Sequence, residues 1–351
     1  MNKYYQDYFH RYPLSSSQDF VKFLYQSYLG GGHLITNEED NYQYLLKEYN
    51  EIKYDENHIL FEEISDDLVR VHLEALKEDE LKLMHRLFML SASYSLSKDS
   101  FIEKLNHVEN MIKDGLLPLN YDEYKTYIEK YKDDNYPLVR HSASFKELYH
   151  PHYRLMKKQY IPLLDLLRKV NVLEKQSVIV IEGHAGAGKS TLAYTISQIF
   201  GYQVVHTDDF FLQPYQRKEE RLKEIGGNLD YERFYNEVVL PINHKKSFDY
   251  QIFDCSQMAL TDYVHIDFNN TIIIEGSYAM HPYFKDYASF KIFLDVECDV
   301  QVKRIRERNG EFLTQRFINE WIPKENDYFK HFHIKEKADY ILDTTKAIPQ
   351  G

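Results

Sequence analysis

Cysteine is scarce in this chain of 351 residues, which has only Cys255 and Cys298. Two thiols cannot build a disulfide framework, so an apolar core has to hold the fold, which suits a reducing compartment. Long hydrophobic runs are missing as well, and the opening residues M-N-K-Y-Y-Q-D-Y-F-H lack the apolar centre of a signal peptide. The expectation is a cytoplasmic protein with no membrane partner. Basic charge is in deficit, with 43 Lys and Arg against 55 Asp and Glu and a formal net charge of −12. That balance argues against a nucleic-acid partner, because neutralising a phosphate backbone takes a basic surface. A single Trp contrasts with 31 Tyr and 21 Phe. Tyrosines in such numbers suit half-buried helix faces, with stacking surfaces as the rarer use. The length allows two domains at about 100–200 residues each.

Residues 1–150 read as a mostly helical domain. Phe20, Phe23, Leu24 and Tyr28 recur at helical spacing behind Ser17 or Asp19 as cap, and Gly30-Gly31-Gly32 stops that helix. The His33 that follows could, with the glycines, hold an anion or serve as a catalytic imidazole, although a helix stop is the ordinary use of such a turn. Further helices are expected over 42–49, 66–76, 79–94, 101–112 and 122–131, with 58–64 extended. His141, His150 and His152 invite a metal reading but lack any zinc-type spacing. An alternative is that His150, His152 and Arg154 reach an active site in the neighbouring domain. Residues 151–175 read as a connection built on a leucine-rich helix, Tyr160 to Val170.

From Val178 the chain runs V-I-V-I-E-G-H-A-G-A-G-K-S-T. Four β-forming residues feed a loop that fits G-x-x-x-x-G-K-[ST], and a helix-forming run follows, the context this phosphate-loop pattern requires. Backbone N–H groups must turn toward phosphate oxygens there, which explains the small residues. Gly183, His184, Ala185, Gly186, Ala187, Gly188, Lys189, Ser190 and Thr191 are therefore the candidate triphosphate cradle. Lys189 supplies charge for the β- and γ-phosphates, and the Ser190 hydroxyl can ligate Mg²⁺. The helix N-terminus behind them favours anions too.

Downstream, a short strand (202–206) ends in Thr207-Asp208-Asp209, where open α/β sheets collect ligands. An acid there can accept a proton from an attacking hydroxyl or hold Mg²⁺ through water; two adjacent acids after a strand also suit a turn cap. Arg217, Arg221 and Tyr231 lie in the polar stretch beyond and are candidate substrate contacts, solvated charge being the ordinary role of any one arginine. The apolar strand T-I-I-I-E ends in Glu275, a candidate metal-holding carboxylate. Arg304 and Arg308 share a face of the helix after Val300, which reads as a basic lid over the nucleotide or as a plain surface helix.

Taken together, G-H-A-G-A-G-K-S, T-D-D-F-F, E-G-S-Y and Q-V-K-R-I-R-E-R resemble, in order, the motifs of the uridine kinase-like family. This is the P-loop kinase group that includes phosphoribulokinase and bacterial pantothenate kinase. The resemblance covers about residues 176–345. It implies an α/β fold, a P-loop NTPase parallel sheet of five strands flanked by helices, behind the helical N-terminal domain. It also implies ATP and Mg²⁺ as cofactors and phosphate transfer to a hydroxyl of a small-molecule acceptor, nucleoside- or vitamin-like. Carried over, Asp208 is the base, Lys189 and Ser190 hold phosphate and metal, Glu275 assists the metal, and Arg304 and Arg308 act from the lid. Asp209 stands where the family has a small or polar residue, so either aspartate could be the base. The acceptor segment after Phe211 departs from the uridine kinase pattern. A nucleotide-sugar (toxin-type) kinase and an ATP-gated switch that binds a protein partner are the competing readings, and a homo-oligomer is left open.

Overall fold

The computed structural model describes residues 2–32 and 37–346. The histidine reading at His33 lies outside the described residues. The chain divides into two compact units, residues 1–168 and 169–351.

The first unit is mainly helical. Helix α1 (Lys3–Arg11) starts at an Asn2 side-chain cap and buries Tyr4, Tyr5, Tyr8 and Phe9. A reciprocal Ser16/Asp19 capping box opens α2 (Ser17–Leu29), which ends at Gly30 in a left-handed conformation, φ 62°. While α3 (Glu38–Asn50) and α4 (Leu81–Ser91) pack on each other outside it, α5 (Lys98–Lys113), α6 (Tyr121–Asp133) and α7 (Ala143–Tyr149) join α1 and α2 around an aromatic-rich core at Phe20, Phe23, Phe101 and Tyr124.

One expectation fails here. Residues 66–76 are not a helix: β2 (Leu68–His72) is the central strand between β1 (Phe61–Glu63) and β3 (Tyr153–Lys157), antiparallel to both. All five β2 residues are buried, so the polar–apolar alternation of a half-exposed strand is missing. Arg70 lies fully buried within it. Its guanidinium meets Glu62 at 3.0 Å and donates to Gln26 at 2.8 Å, so no charge is left unpaired.

The division between units falls within α8 (Leu164–Asn171). In the second unit, β4 (Val178–Gly183) leads into α9 (Lys189–Phe200), then β5 (Gln203–His206). The short α10 (Glu219–Lys223) precedes α11 (Tyr231–Phe234), which passes through a π turn (Tyr235–Val239) into α12 (Leu240–Asn243). Pro241 sits just past the π turn, in the first turn of α12, and does not end the helical run. β6 (Phe248–Asp254) and β7 (Ala259–Ile266) form a hairpin. β8 (Ile272–Glu275), β9 (Phe290–Asp295), α13 (Cys298–Arg316), α14 (Ile322–Phe332) and β10 (Tyr340–Asp343) complete the chain.

The main sheet has the order β10-β9-β4-β8-β5, and every pairing is parallel. It is a five-stranded parallel α/β sheet flanked by helices, as expected. β4 and β8 are wholly buried, as expected for central parallel strands. Because β5 pairs with β8 rather than with β4, the carboxyl ends of β4, β8 and β5 lie side by side, and ligands gather at such ends. Among the described residues no helix is long and apolar enough to cross a membrane.

Candidate active site

The phosphate loop is shaped by its glycines. At the end of β4, Gly183 adopts φ 138°, and a Cβ there would stand 2.3 Å from the Leu294 carbonyl oxygen of β9. Only glycine lets β4 leave the sheet so close to its neighbour. Gly188, at φ 93°, is the N-cap of α9, so the helix begins at Lys189 and its unpaired N–H groups open onto the loop. The Lys189 ammonium folds back across the loop and donates to the carbonyls of Gly183 at 2.7 Å and His184 at 3.2 Å. The charge therefore stands over the loop that is to receive it.

Strand register assembles the acids. Glu275 pairs with Ile181 on one side and His206 on the other. Ser190 Oγ donates to Glu275 Oε1 at 3.1 Å, and His206 Nδ1 lies 2.6 Å from the same oxygen. That hydrogen bond raises the His206 pKa and favours imidazolium beside the carboxylate. Asp208, in the turn after β5, is exposed to the cavity it lines. Desolvation, then the Glu275 charge, raises its carboxyl above the ordinary aspartate value. A carboxylate so placed is poised to take a proton.

The two adjacent aspartates separate cleanly. Asp209 accepts from Tyr250 Oη at 3.0 Å, its own carbonyl accepts from Arg233, and it is absent from the cavity lining. Asp208 is the member of the pair that faces the loop.

These groups line one cavity of about 720 Å³ that holds Ala185, Gly186, Gly188, Lys189, Ser190, Thr191, Asp208 and Glu275. Arg217 and Arg308 reach it too, whereas Gly183, His184 and Ala187 of the loop, and Asp209, Arg221, Tyr231 and Arg304, are not in its lining. Arg221 forms a two-pronged pair with Glu232, at 2.8 and 2.7 Å, and donates to the Leu229 carbonyl, so it staples its own segment together. Tyr231 lies under the Arg221 guanidinium and stacks on His281. Arg304 donates to the Thr344 carbonyl at 2.6 Å and reaches the Gly186 carbonyl at 3.5 Å, which ties α13 to the loop's outer side. Helical spacing placed Arg304 and Arg308 on one face, but the nearby chain end after β10 captures the first of them. His152 and Arg154, the other distant candidates, both engage Glu48 within their own unit, at 3.0 and 2.7 Å.

Other lining residues carried no site signal in the sequence. Gly310 breaks α13 with φ 74° and ψ 169°. Beyond that kink Arg316, Phe317, Trp321 and Lys324 face the cavity, opposite Phe211, Leu212 and Met258. Glu325 of α14 is buried, accepts from Ala185 N–H at 2.8 Å and from Ser277 Oγ at 2.8 Å, and so pins the loop's second turn. Glu182, fully buried one residue before the loop, accepts from the N–H groups of Tyr278 and Met280. Burial pushes its carboxyl up to about 7 despite those bonds. A lone glutamate in an apolar strand looks like either a pairing error or a strand end, and neither reading signals this role.

No protein-family model matches the chain, and no curated protein matches its sequence. Among solved structures it is similar to a possible uridine kinase from Bacillus stearothermophilus, 19% identical, with 52% of this chain and 97% of the other covered and a TM-score of 0.42. An uncharacterized protein from Eubacterium ventriosum ATCC 27560 is 11% identical, with 49% and 89% covered and a TM-score of 0.29. Shikimate kinase from Acinetobacter baumannii in complex with shikimate is 14% identical, with 49% and 86% covered and a TM-score of 0.28. At these scores they assign no function to this chain, and its chemistry has to be read from the cavity itself.

Proposed function

We propose that the second unit is an ATP-dependent kinase that transfers the γ-phosphate to a hydroxyl of a small molecule of nucleoside or vitamin size. The observation that supports this most is the convergence of Lys189, Ser190, Asp208 and Glu275 on one cavity from three adjacent strand ends. A phosphate site alone serves any nucleotide-binding protein. A carboxylate on the same cavity with a raised pKa suits a hydroxyl acceptor and is not needed by a simple nucleotide-gated switch.

The chain's own groups divide the work. The bare loop backbone and the α9 N-terminus bind the β- and γ-phosphates, and Lys189 exchanges its carbonyl contacts for phosphate oxygens. Ser190 and Glu275, 3.1 Å apart, suit Mg²⁺, oxygen ligands for a hard cation, and the bound ion would neutralise charge on the phosphate oxygens. Asp208 orients the acceptor hydroxyl and takes its proton. Arg308 brings positive charge to the cavity wall, and Arg316 and Lys324 add theirs beside Glu320, with which both are paired. Catalysis is then positioning and electrostatics, with no covalent intermediate on the protein. Phe211, Leu212, Met258 and Trp321 give the acceptor side apolar walls suited to a ring or short chain, and the cavity volume fits a nucleotide with a small partner.

The test is a screen of the purified chain with ATP and Mg²⁺ against nucleosides, vitamins and sugars, reading ADP release and product mass. A phosphorylated small molecule is expected, and Lys189→Ala should lower its formation by at least ~10²-fold. ATP consumption without a phosphorylated product would favour the switch, and undiminished transfer by the Lys189 variant would remove the loop from the chemistry.

A further inference from the structure

A cluster in the first unit has metal-ligand chemistry and takes no part in the cavity described above. One ring nitrogen from each of His58 and His72 and a carboxylate oxygen of Glu74 lie within 4.8 Å of one another. Two backbone hydrogen bonds fix that meeting. Asp55 N–H donates to the Glu74 carbonyl at 2.8 Å, and His72 N–H donates to the Leu60 carbonyl at 3.0 Å. They clamp the segment carrying His58 at both ends, beside the end of β2. There His72 closes the strand and Glu74 occupies the 3₁₀ turn Leu73–Ala75.

Two features separate this group from a chance cluster. Glu74 Oε2 is shut off from solvent and has no hydrogen-bond partner, which is costly for a carboxylate unless a cation compensates. His72 Nε2 stands 3.2 Å from Glu62, whose other oxygen is ion-paired with buried Arg70 at 3.0 Å. A carboxylate so held accepts a hydrogen bond from Nε2–H, the tautomer that leaves the Nδ1 lone pair for a metal. Carboxylates hold metal-bound imidazoles in this way.

We propose that His58, His72 and Glu74 bind a divalent late first-row transition ion, with Zn²⁺ as the reference ion. Two imidazole nitrogens and one carboxylate oxygen suit zinc and its neighbours, whereas Mg²⁺ and Ca²⁺ favour oxygen alone. Three protein ligands leave a coordination position for water or a further ligand, and His58 is the solvent-accessible member from which exchange would start. The sequence reading missed the group because it made residues 66–76 helical. On a helix, positions two apart such as His72 and Glu74 do not face each other.

The full chain, stripped with a chelator, would be titrated with Zn²⁺ alone in excess Mg²⁺, which keeps the oxygen-rich phosphate site occupied. One zinc per chain is expected, with a rise in melting temperature and d–d absorption bands when Co²⁺ replaces zinc. His58→Ala and Glu74→Gln should each weaken zinc binding at least ~10-fold and abolish the cobalt bands, since even an indirect partner of a ligand is worth that much. Wild-type zinc affinity in both variants, or no zinc bound by the native chain, would overturn the proposal.

Discussion

Asp208 and Asp209 are adjacent in sequence and carry different chemistry because one side chain finds a hydroxyl and the other finds a cavity. Tyr250 engages Asp209, while Asp208 faces Lys189, Ser190 and Glu275 across the phosphate site. Asp208→Asn should therefore lower kcat by roughly 10²–10⁴-fold while nucleotide affinity stays unchanged, measured by single-turnover transfer and by nucleotide titration. In the native chain the proposed transfer should slow as acid protonates Asp208. Its pKa is raised by desolvation and by Glu275, so that acid limb should lie above the ordinary aspartate range and vanish from the residual rate of the Asn variant. Loss of nucleotide binding in that variant would mean that Asp208 serves the phosphates instead. At this scale the sequence was legible wherever chemistry depends on backbone, as in Gly183 to Ser190, where the loop pattern itself dictates geometry. It was not legible for Arg221 and Arg304. A long cation is claimed by whichever acceptor folding brings nearest, and Glu232 and the Thr344 carbonyl come from elsewhere in the chain.

Among the elements, β2 shows why a covered strand escapes sequence reading. Leu68, Val69 and Val71 are buried on both faces, and the one charged residue between them, Arg70, is buried as deeply. A polar residue in that position imitates the outer side of a helix, when in fact its charge is matched by Glu62 from β1. The pairing makes a strong stability prediction. Glu62→Ala would leave Arg70 charged and unpaired in the core, at a cost of about 3–5 kcal/mol, read as a shift in the urea midpoint. A loss near that of an exposed ion pair, below about 1 kcal/mol, would show that water reaches Arg70. β4 and β8 of the second unit were legible because their apolar runs are short and end in Gly183 and Glu275. In α13 the break at Gly310 was marked by the glycine, but the residues beyond it became cavity wall only through the turn that φ 74° imposes.

Across the whole molecule, buried ionisable groups pull the pH dependence of stability in opposite directions, as His141 of the first unit and Glu182 of the second show. In the first, burial holds His141 neutral, with its pKa lowered from 6.5 to about 4, and hydrogen bonds from His141, Ser16 and Ser142 outweigh desolvation to hold Asp19 at about 2. Both contributions are present near neutrality and are lost on acidification, His141's as pH falls from 6.5 to about 4 and Asp19's as it falls toward 2. In the second, Glu182 binds its proton more tightly folded than unfolded, with a pKa of about 7 against 4.5, so its contribution is lost as pH rises through that interval. Between pH 4.5 and 6.5 Glu182→Gln should therefore shift the second unit's melting temperature upward with pH relative to the native chain, since a falling contribution is removed while those of half-buried His184 and buried His281 rise, and the first unit's slope should stay unchanged; an unchanged second-unit slope would refute the assignment. Assigning each transition to its unit is straightforward because of a residue in the cavity wall. Trp321 is the single tryptophan of the chain and lines the phosphate cavity. Excitation at the red edge of protein absorption therefore illuminates one unit and leaves the tyrosine-rich other dark. The same indole should change its emission when nucleotide enters, giving the protein a native, label-free optical gauge of occupancy.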